Sequence, residues 1–325
     1  MITSRRAFMI SGSSLATASM LGLPSAHAQS WPQRPVRVLL TLGGGSGTDI
    51  GMRLLGERLQ KRWPQPVVIE NRPGGDGIVA ISAFLGAKDD HVLLGAPVSS
   101  FTAHPYVVPN MPYKPEDLAP IARGWTLIIV IAVPASLPVN SLKELVEMAK
   151  AQPGKLNWAG TTGAIDFLFS GFLKQHGLIM ERVPYRNPQD AANDLATGRI
   201  QVCEGSYPTL RPQLERGAIK LIAATNAVRP AALPKLPTAK EAGYPELTLD
   251  GLIGLFGPPT MPVALRERIA ADVKVAMTDK TLIERLNATG QMPDYGTAAE
   301  FTDSINAQRA AVAAAAKNLG LKPLQ

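Results

Sequence analysis

The chain has 325 residues, of which 46% are hydrophobic and 18% are charged, with a formal net charge of +7. These proportions are typical of a well-packed globular protein and exclude a disordered chain, and the length suffices for two ordinary domains. The positive charges form no basic run, which excludes a nucleic-acid-binding patch, and the single Cys203 excludes an internal disulfide.

The first 28 residues have the three parts of a secretory signal peptide. Arg5 and Arg6 form a basic start, residues 8–23 are mostly apolar or small, and residues 26–28 read Ala-His-Ala, a small-x-small cleavage site. We therefore expect cleavage after Ala28 and export to the bacterial periplasm. The order Ser-Arg-Arg-Ala-Phe at residues 4–8 favours twin-arginine export, and an ordinary Sec signal with two arginines is the alternative.

A glycine-rich loop at residues 43–49 follows the first predicted strand, residues 35–42. It reads Gly-Gly-Gly-Ser-Gly-Thr-Asp and leads into a helix predicted to begin at Thr48 or Asp49. Glycine lets the backbone approach a ligand closely, and the first turn of a helix offers free N–H groups at the positive end of its dipole. The pattern therefore predicts an anion site. A structural turn capped by Thr48 or Asp49 is the alternative, and both can hold together.

In this loop we expect Asp49 to shape the turn, while residues 46–48 face the ligand. The residues assigned to ligand binding here are Gly44, Gly45, Ser46, Gly47, Thr48 and Asp49.

Strand-like and helix-like segments alternate along most of the chain. This alternation predicts an α/β fold in which mainly parallel sheets are flanked by helices. The apolar run 125–133 is predicted as one buried strand, and residues 262–322 are predicted as amphipathic helices. Further helices are predicted at 78–87, after a capping box formed by Ser141 and Glu144, and at 166–175, and a further strand is predicted at 219–224. The runs 125–133 and 247–258 can carry the chain between two domains with a ligand cleft between them. We expect domain 1 to comprise residues 29–130 and 251–325, and domain 2 residues 131–250.

Several motifs occur at a characteristic spacing. They are Trp-Pro-Gln-Arg-Pro at 31–35, Gly-Ser-Gly-Thr-Asp at 45–49, Glu-Asn-Arg-Pro-Gly at 70–74, Val-Pro-Tyr-Arg at 183–186 and Gly-Leu-Phe-Gly-Pro-Pro at 254–259. In this order they resemble the Bug-type extracytoplasmic solute receptors of tripartite tricarboxylate transporters. The resemblance implies a two-domain periplasmic binding protein of the type II-like kind, which closes over a small carboxylate held by loops of both domains, partly through water. It also implies membrane permease subunits as partners, and we expect a monomer without a cofactor.

The second-domain loop, residues 160–166, reads Gly-Thr-Thr-Gly-Ala-Ile-Asp and departs from the family. Ile165 stands where the family commonly has Ser, and Leu168 where it commonly has His. We expect these two side chains to make the pocket less polar and to favour a monocarboxylate with an apolar or aromatic body. The residues assigned to the ligand here are Thr161, Thr162, Gly163, Ala164, Ile165 and Asp166.

Further candidates lie in other loops: Gly74, Ser99, Tyr185 and Asp190. A turn serine is the alternative for Ser99, and a core aromatic residue is the alternative for Tyr185. Arg72 can bind the ligand carboxylate or brace the loop through Asp49 or Asp76, and we favour the bracing role. Glu204 stands where the family commonly has an aromatic residue, and it either replaces a neighbouring family acid or is simply solvated.

No pattern in the sequence supports an enzyme. The chain has no Gly-x-Ser-x-Gly elbow and no P-loop ending, and no histidine of the mature chain lies in a metal-ligand spacing. We therefore assign no catalytic residue, metal or cofactor. An orphan receptor that feeds a sensor is one alternative to the transport receptor, and an exported hydrolase is another.

Overall fold

The computed structural model describes residues 31–160, 163–185 and 187–324. The predicted signal peptide, Thr161 and Thr162 lie outside the described residues. No helix of the described ranges combines the length and the hydropathy that crossing a membrane requires.

The described residues form two mixed β-sheets. The strands are β1 (Val36–Leu40), β2 (Val67–Asn71), β3 (Val92–Pro97), β4 (Ala119–Leu127), β5 (Ile129–Pro134), β6 (Leu156–Gly160), β7 (Met180–Arg182), β8 (Val202–Ser206), β9 (Ile219–Ala224), β10 (Gly251–Gly257) and β11 (Gln291–Gly296).

Helices cover these sheets. They are α1 (Gly47–Gln60), α2 (Ile78–Ala87), α3 (Ser99–Thr102), α4 (His104–Val107), α5 (Leu142–Ala151), α6 (Gly163–Gln175), α7 (Pro188–Ala196), α8 (Tyr207–Glu215), α9 (Val263–Ala276), α10 (Lys280–Ala288) and α11 (Ala298–Leu319).

The first sheet has six strands in the order β11-β4-β10-β3-β1-β2, and the second has five in the order β7-β6-β8-β5-β9. Strand β1 is parallel to β2 and β3, and β6 is parallel to β7 and β8. Strand β10 runs antiparallel to β3 and β4, and β5 runs antiparallel to β8 and β9. Each sheet therefore keeps four strands in one direction, and β10, β11 and β5 run the other way.

The chain changes sheet at Ile128. The apolar run 125–133, predicted as one strand, belongs to two: β4 ends at Leu127 in the first sheet and β5 begins at Ile129 in the second. Hydrophobicity alone does not reveal this break, because residues 125–133 are buried without interruption. The buried Asn226 stabilises it, since its Nδ2 donates to the Leu127 carbonyl and its Oδ1 accepts from the Ile129 N–H, both at 3.0 Å. The same Nδ2 lies 3.3 Å from Oδ1 of Asp250, next to β10.

The region predicted as C-terminal helices contains one strand that the sequence analysis missed. Strand β11 lies at the edge of the first sheet and includes Pro293, which is tolerated at an edge because no partner is needed on its outer side. Helix α8 was also not predicted. Helix α6 begins at Gly163, three residues before the predicted start at Asp166.

The larger core lies between the first sheet and helices α1, α9 and α11. Trp125 of β4 is fully buried there, and a Cβ on Gly51 of α1 would overlap its indole ring. Helix α6 begins directly after a strand of the second sheet, yet it contributes Ala164, Ile165 and Leu168 to this core, where Val312 of α11 is also buried. Helix α6 therefore ties the two halves of the molecule together.

Candidate functional site

The predicted loops lie at the carboxyl ends of β1, β2 and β3 in the first domain and of β6 in the second. Gly163 begins α6 with a φ of +57°, a conformation that favours glycine. A Cβ at this position would overlap the carbonyl oxygen of Ser99, so the second-domain loop packs directly on the backbone that follows β3. The two domains thus meet where the sequence places the candidate cleft.

The glycine loop connects β1 to α1. Ser46 caps the helix, because its side chain accepts a hydrogen bond from the Asp49 N–H at 3.2 Å. The prediction that Thr48 or Asp49 is the cap was therefore wrong. Gly44 and Gly45 are exposed, and Gly45 has a φ of +81°. Gly47 and Thr48 are buried, and the Thr48 hydroxyl has no hydrogen-bond partner.

Asp49 joins the loop to the helix and to β2. Its Oδ2 accepts from the Gly45 N–H at 2.9 Å, and its Oδ1 accepts from Arg53 Nε at 2.9 Å and from Asn71 Nδ2 at 3.0 Å. Burial alone would raise the pKa of Asp49, but these hydrogen bonds outweigh it and hold the pKa below its ordinary value. The carboxylate therefore braces the loop in its charged form.

We expect Asp49→Asn to lower the free energy of unfolding at pH 7 by about 2 kcal/mol, because a neutral amide turns a donor toward groups that are themselves donors. Since the folded pKa is depressed, the contribution of Asp49 is fully present above its unfolded pKa and is lost as the pH falls through the folded pKa. Urea denaturation of both proteins at pH 7 and pH 3 measures this effect. The difference between them should shrink at pH 3, whereas the exposed Asp303→Asn control should match the wild type at both pH values.

Arg72 makes an ion pair, but not with either of the carboxylates predicted as its partners. Its guanidinium lies 3.3 Å from Glu70, and it pairs with neither Asp49 nor Asp76. Arg53 takes the predicted place beside Asp49. Gly74 is exposed with a φ of +129°, and its carbonyl accepts from the Gly77 N–H at 3.0 Å.

Ser99 and Ser100 are buried at the start of α3. The Ser100 hydroxyl has no partner, and neither has the buried Thr41 hydroxyl at the end of β1. Both side chains lie within 3.5 Å of the position that a Cβ on Gly77 would take. Two free hydroxyls thus lie close together under the first-domain loops, and the sequence analysis named neither of them.

The second-domain residues separate into two groups. Ala164 and Ile165 are buried together with Leu168 in the core shared with α11. These side chains therefore give no support to the expectation of a ligand with an apolar body, and that expectation stays a prediction. Asp166 has 18% of its side chain exposed, and its Oδ2 lies 2.7 Å from Arg182 Nε.

Tyr185 follows β7, and Asp190 belongs to α7. The Tyr185 hydroxyl donates to Asp194 at 2.7 Å, and burial together with this carboxylate raises the pKa of Tyr185 to about 12. Asp190 is exposed in the first turn of α7. Their assignment to the ligand stays a prediction.

The structure brings together acidic residues that sequence reasoning did not connect. Asp76 adopts a φ of 54° and keeps 32% of its side chain exposed; desolvation by the surrounding protein, followed by the charge of Asp166, raises its pKa to about 6. His104 is buried beside it, with Nδ1 2.6 Å from the Tyr113 hydroxyl and Nε2 3.2 Å from the Asp76 carbonyl. Glu204, whose role the sequence left open, is buried and not solvated. Only the approach of the two domains relates these residues, so no local motif could have revealed the group.

The side chains of Asp89, Asp90 and His91 form a second polar group. Their candidate ligand atoms lie close enough to one another to hold a metal ion. Arg34 already binds Asp89 through both oxygens, at 2.5 and 2.8 Å, and His91 Nδ1 lies 2.6 Å from Asp90. The group is therefore satisfied by its own hydrogen bonds.

Comparison with known proteins covers nearly the whole chain. The family model described as "Tripartite tricarboxylate transporter family receptor" matches residues 52–321. Protein BugT of Bordetella pertussis is 26% identical over 297 residues, 90% of this chain and 90% of BugT. A solved structure of a periplasmic transporter has a TM-score of 0.81 at 27% identity, covering 90% of this chain and 99% of the other. The structure of Rpa4515 from R. palustris with adipate also has a TM-score of 0.81 at 27% identity, covering 91% and 100%.

Proposed function

Because the chain belongs to the tripartite tricarboxylate transporter receptor family, we propose that it captures a small carboxylate in the cleft between its two domains. The family resemblance expected from the sequence is confirmed, as are the two-domain α/β binding-protein fold and the role of a solute receptor that is not an enzyme. Proteins of this kind act in the periplasm, and a receptor of a tripartite transporter implies membrane partners.

The observation that supports the site is a close contact between the two domains. The backbone of Gly163 packs so tightly on the Ser99 carbonyl oxygen that a Cβ at Gly163 would overlap it. In this arrangement the N–H group of the exposed Gly44 and the unpartnered hydroxyls of Thr41 and Ser100 can hold a carboxylate without an arginine. Ordered water can complete the contacts nearly as well as direct hydrogen bonds. That Rpa4515 was solved with adipate supports the carboxylate class.

The ligand closes the receptor by bridging the two domains, which shifts an equilibrium between open and closed forms. The proposed domains are residues 29–130 with 251–325 and residues 131–250. The mature receptor begins at Gln29 after twin-arginine export, acts as a monomer, and presents its closed form to a permease. Its ligand is a small carboxylate, and carboxylates with an apolar or aromatic body are the first compounds to test.

We expect a thermal-shift screen of mono-, di- and tricarboxylates, with and without aromatic rings, to raise the melting temperature for at least one compound. At a ligand concentration about 100 times the dissociation constant, binding contributes about 2.7 kcal/mol of stability. Mass spectrometry of molecules that co-purify with the protein identifies candidates independently. Hydrolysis of esters by the protein, without binding of any carboxylate, would contradict the proposal. Strong binding of a carboxylate, in an organism that lacks a cognate permease, would favour the sensor alternative.

A further inference from the structure

A buried carboxyl group lies beneath the first turn of α6 and belongs to Glu204. This residue lies in β8, paired with Gly160 of β6 on one side and with Ile131 of β5 on the other. Glu204 is 1% exposed, and its Oε2 is buried without a hydrogen-bond partner. Burial removes the hydration of this oxygen and no contact replaces it, so Glu204 is held at a cost in free energy.

Asp166 lies beside Glu204 on the same face of the second sheet. A Cβ on Gly160 would lie 2.5 Å from Asp166 Oδ1, so the Asp166 carboxyl occupies the space over Gly160. Residues paired across parallel strands point to the same face and are about 4.8 Å apart. The Glu204 side chain therefore points toward Asp166 and the loop that meets the first domain. Burial, and then the charge of Asp166, raise the pKa of Glu204 well above its ordinary value.

The first domain adds a third carboxyl, that of Asp76, which interacts electrostatically with both Asp166 and Arg182. Arg182 is the permanent cation of this group, and it is bonded to Asp166. His104 lies 3.8 Å from Asp76, but burial lowers the pKa of the imidazole and favours its neutral form. Burial favours the neutral form of the Glu204 carboxyl in the empty receptor, and a cation bound beside it would stabilise the ionised form.

A small metal ion does not fit this group. In the described part of the chain, the one set of three candidate ligand atoms within 4.8 Å of one another is that of Asp89, Asp90 and His91. The oxygens of Asp76, Asp166 and Glu204 are therefore too widely spaced for one ion. A protonated amine suits wider spacing, because each of its three N–H groups reaches an acceptor at about 2.8 Å.

We propose that this receptor binds a ligand that carries a protonated amine, or another cationic nitrogen group, in addition to its carboxylate, and that the cation lies between Glu204 and Asp166. This proposal rests on the receptor function proposed above. The carboxylate end faces the glycine loop of the first domain, and the cationic end supplies the partner that Glu204 Oε2 lacks. A ligand with opposite charges at its two ends matches the two sides of the cleft.

Sets of compounds matched in shape test this proposal. Each set holds a monocarboxylate, the corresponding dicarboxylate and the corresponding amino acid: hexanoate, adipate and 6-aminohexanoate; their shorter homologues; and benzoate, terephthalate and 4-(aminomethyl)benzoate. Isothermal titration at pH 7 compares the wild type with Glu204→Gln, which keeps the shape of the side chain but cannot ionise when a cation binds. The exposed Glu267→Gln on α9 removes one charge elsewhere and serves as the control.

In at least one set we expect the amino compound to bind the wild type about tenfold or more tightly than both counterparts. Glu204→Gln should abolish this preference while its melting temperature stays close to that of the wild type, because one neutral polar group replaces a carboxyl whose neutral form burial already favours. Glu267→Gln should keep the preference. Binding of the acids without any amino compound, or an unchanged preference in Glu204→Gln, overturns this proposal and leaves the receptor function standing. Failure of every compound to bind contradicts both.

Discussion

Replacing Gly163 by alanine is expected to lower the affinity for the strongest-binding carboxylate of the screen by about a hundredfold. The new Cβ would overlap the Ser99 carbonyl oxygen, which is backbone and cannot rotate away. Overpacking of this kind costs about 3 kcal/mol, and separating the domains relieves it, so the closed form loses population. Titration calorimetry measures the affinity, and small-angle scattering measures the separation of the domains.

Gly177→Ala is the matched control for this variant. Gly177 has a φ of +64°, close to the +57° of Gly163, but nothing lies within 4 Å of its Cβ position. Both variants therefore pay the same cost of a left-handed conformation, about 1–2 kcal/mol, and only Gly163→Ala disturbs the contact between domains. Equal affinities for the two variants would show that the meeting of Gly163 with Ser99 plays no part in binding.

Gly51→Ala is expected to destabilise the protein by about 3 kcal/mol, the largest effect on folding that we predict for a single added methyl group. Its Cβ would lie 2.5 Å from Cε2 of Trp125, and Cζ2 of the same ring is nearer still. Trp125 is fully buried in the first-domain core and has no free direction in which to move. Chemical denaturation monitored by circular dichroism measures the loss.

Gly86→Ala gives the opposite expectation at a second helical glycine. Gly86 lies in α2, is exposed, and has nothing within 4 Å of its Cβ position. Alanine should stabilise the protein there by up to about 1 kcal/mol, because it is the better helix former. A Gly51→Ala variant as stable as Gly86→Ala would mean that α1 does not pack on Trp125 as described.

Local patterns predicted most of the individual elements. Ser141 with Glu144 indicated a helix start, and Ser141 accepts from the Glu144 N–H at 3.2 Å. Helix α2 and strand β9 have the predicted bounds, 78–87 and 219–224. These signals succeed because caps and side-chain periodicity act over a few residues.

Other features depended on contacts between distant parts of the chain. The departure of the 160–166 loop from the family predicts Ile165 as a pocket residue, whereas the structure buries it in a core that also contains Val312 of α11, more than a hundred residues later. Likewise, the group of Asp76, Asp166 and Glu204 forms only in the folded chain, because a turn of the first domain carries Asp76 while α6 and β8 carry the other two. No single segment of the sequence could therefore reveal it. The glycine loop was predicted as a whole, whereas its cap at Ser46 depended on exact backbone angles.

Asn226 constrains how the two halves of the molecule can move. One side chain bonds the backbone on both sides of Ile128, where the chain leaves the first sheet, and also lies beside Asp250, where the chain returns. Sliding or shearing one sheet past the other would break these bonds, but rotation about an axis through Asn226 would preserve them. We therefore expect the two halves to rotate about this point and not to slide, so that a membrane partner would sense occupancy as a change in the angle between them.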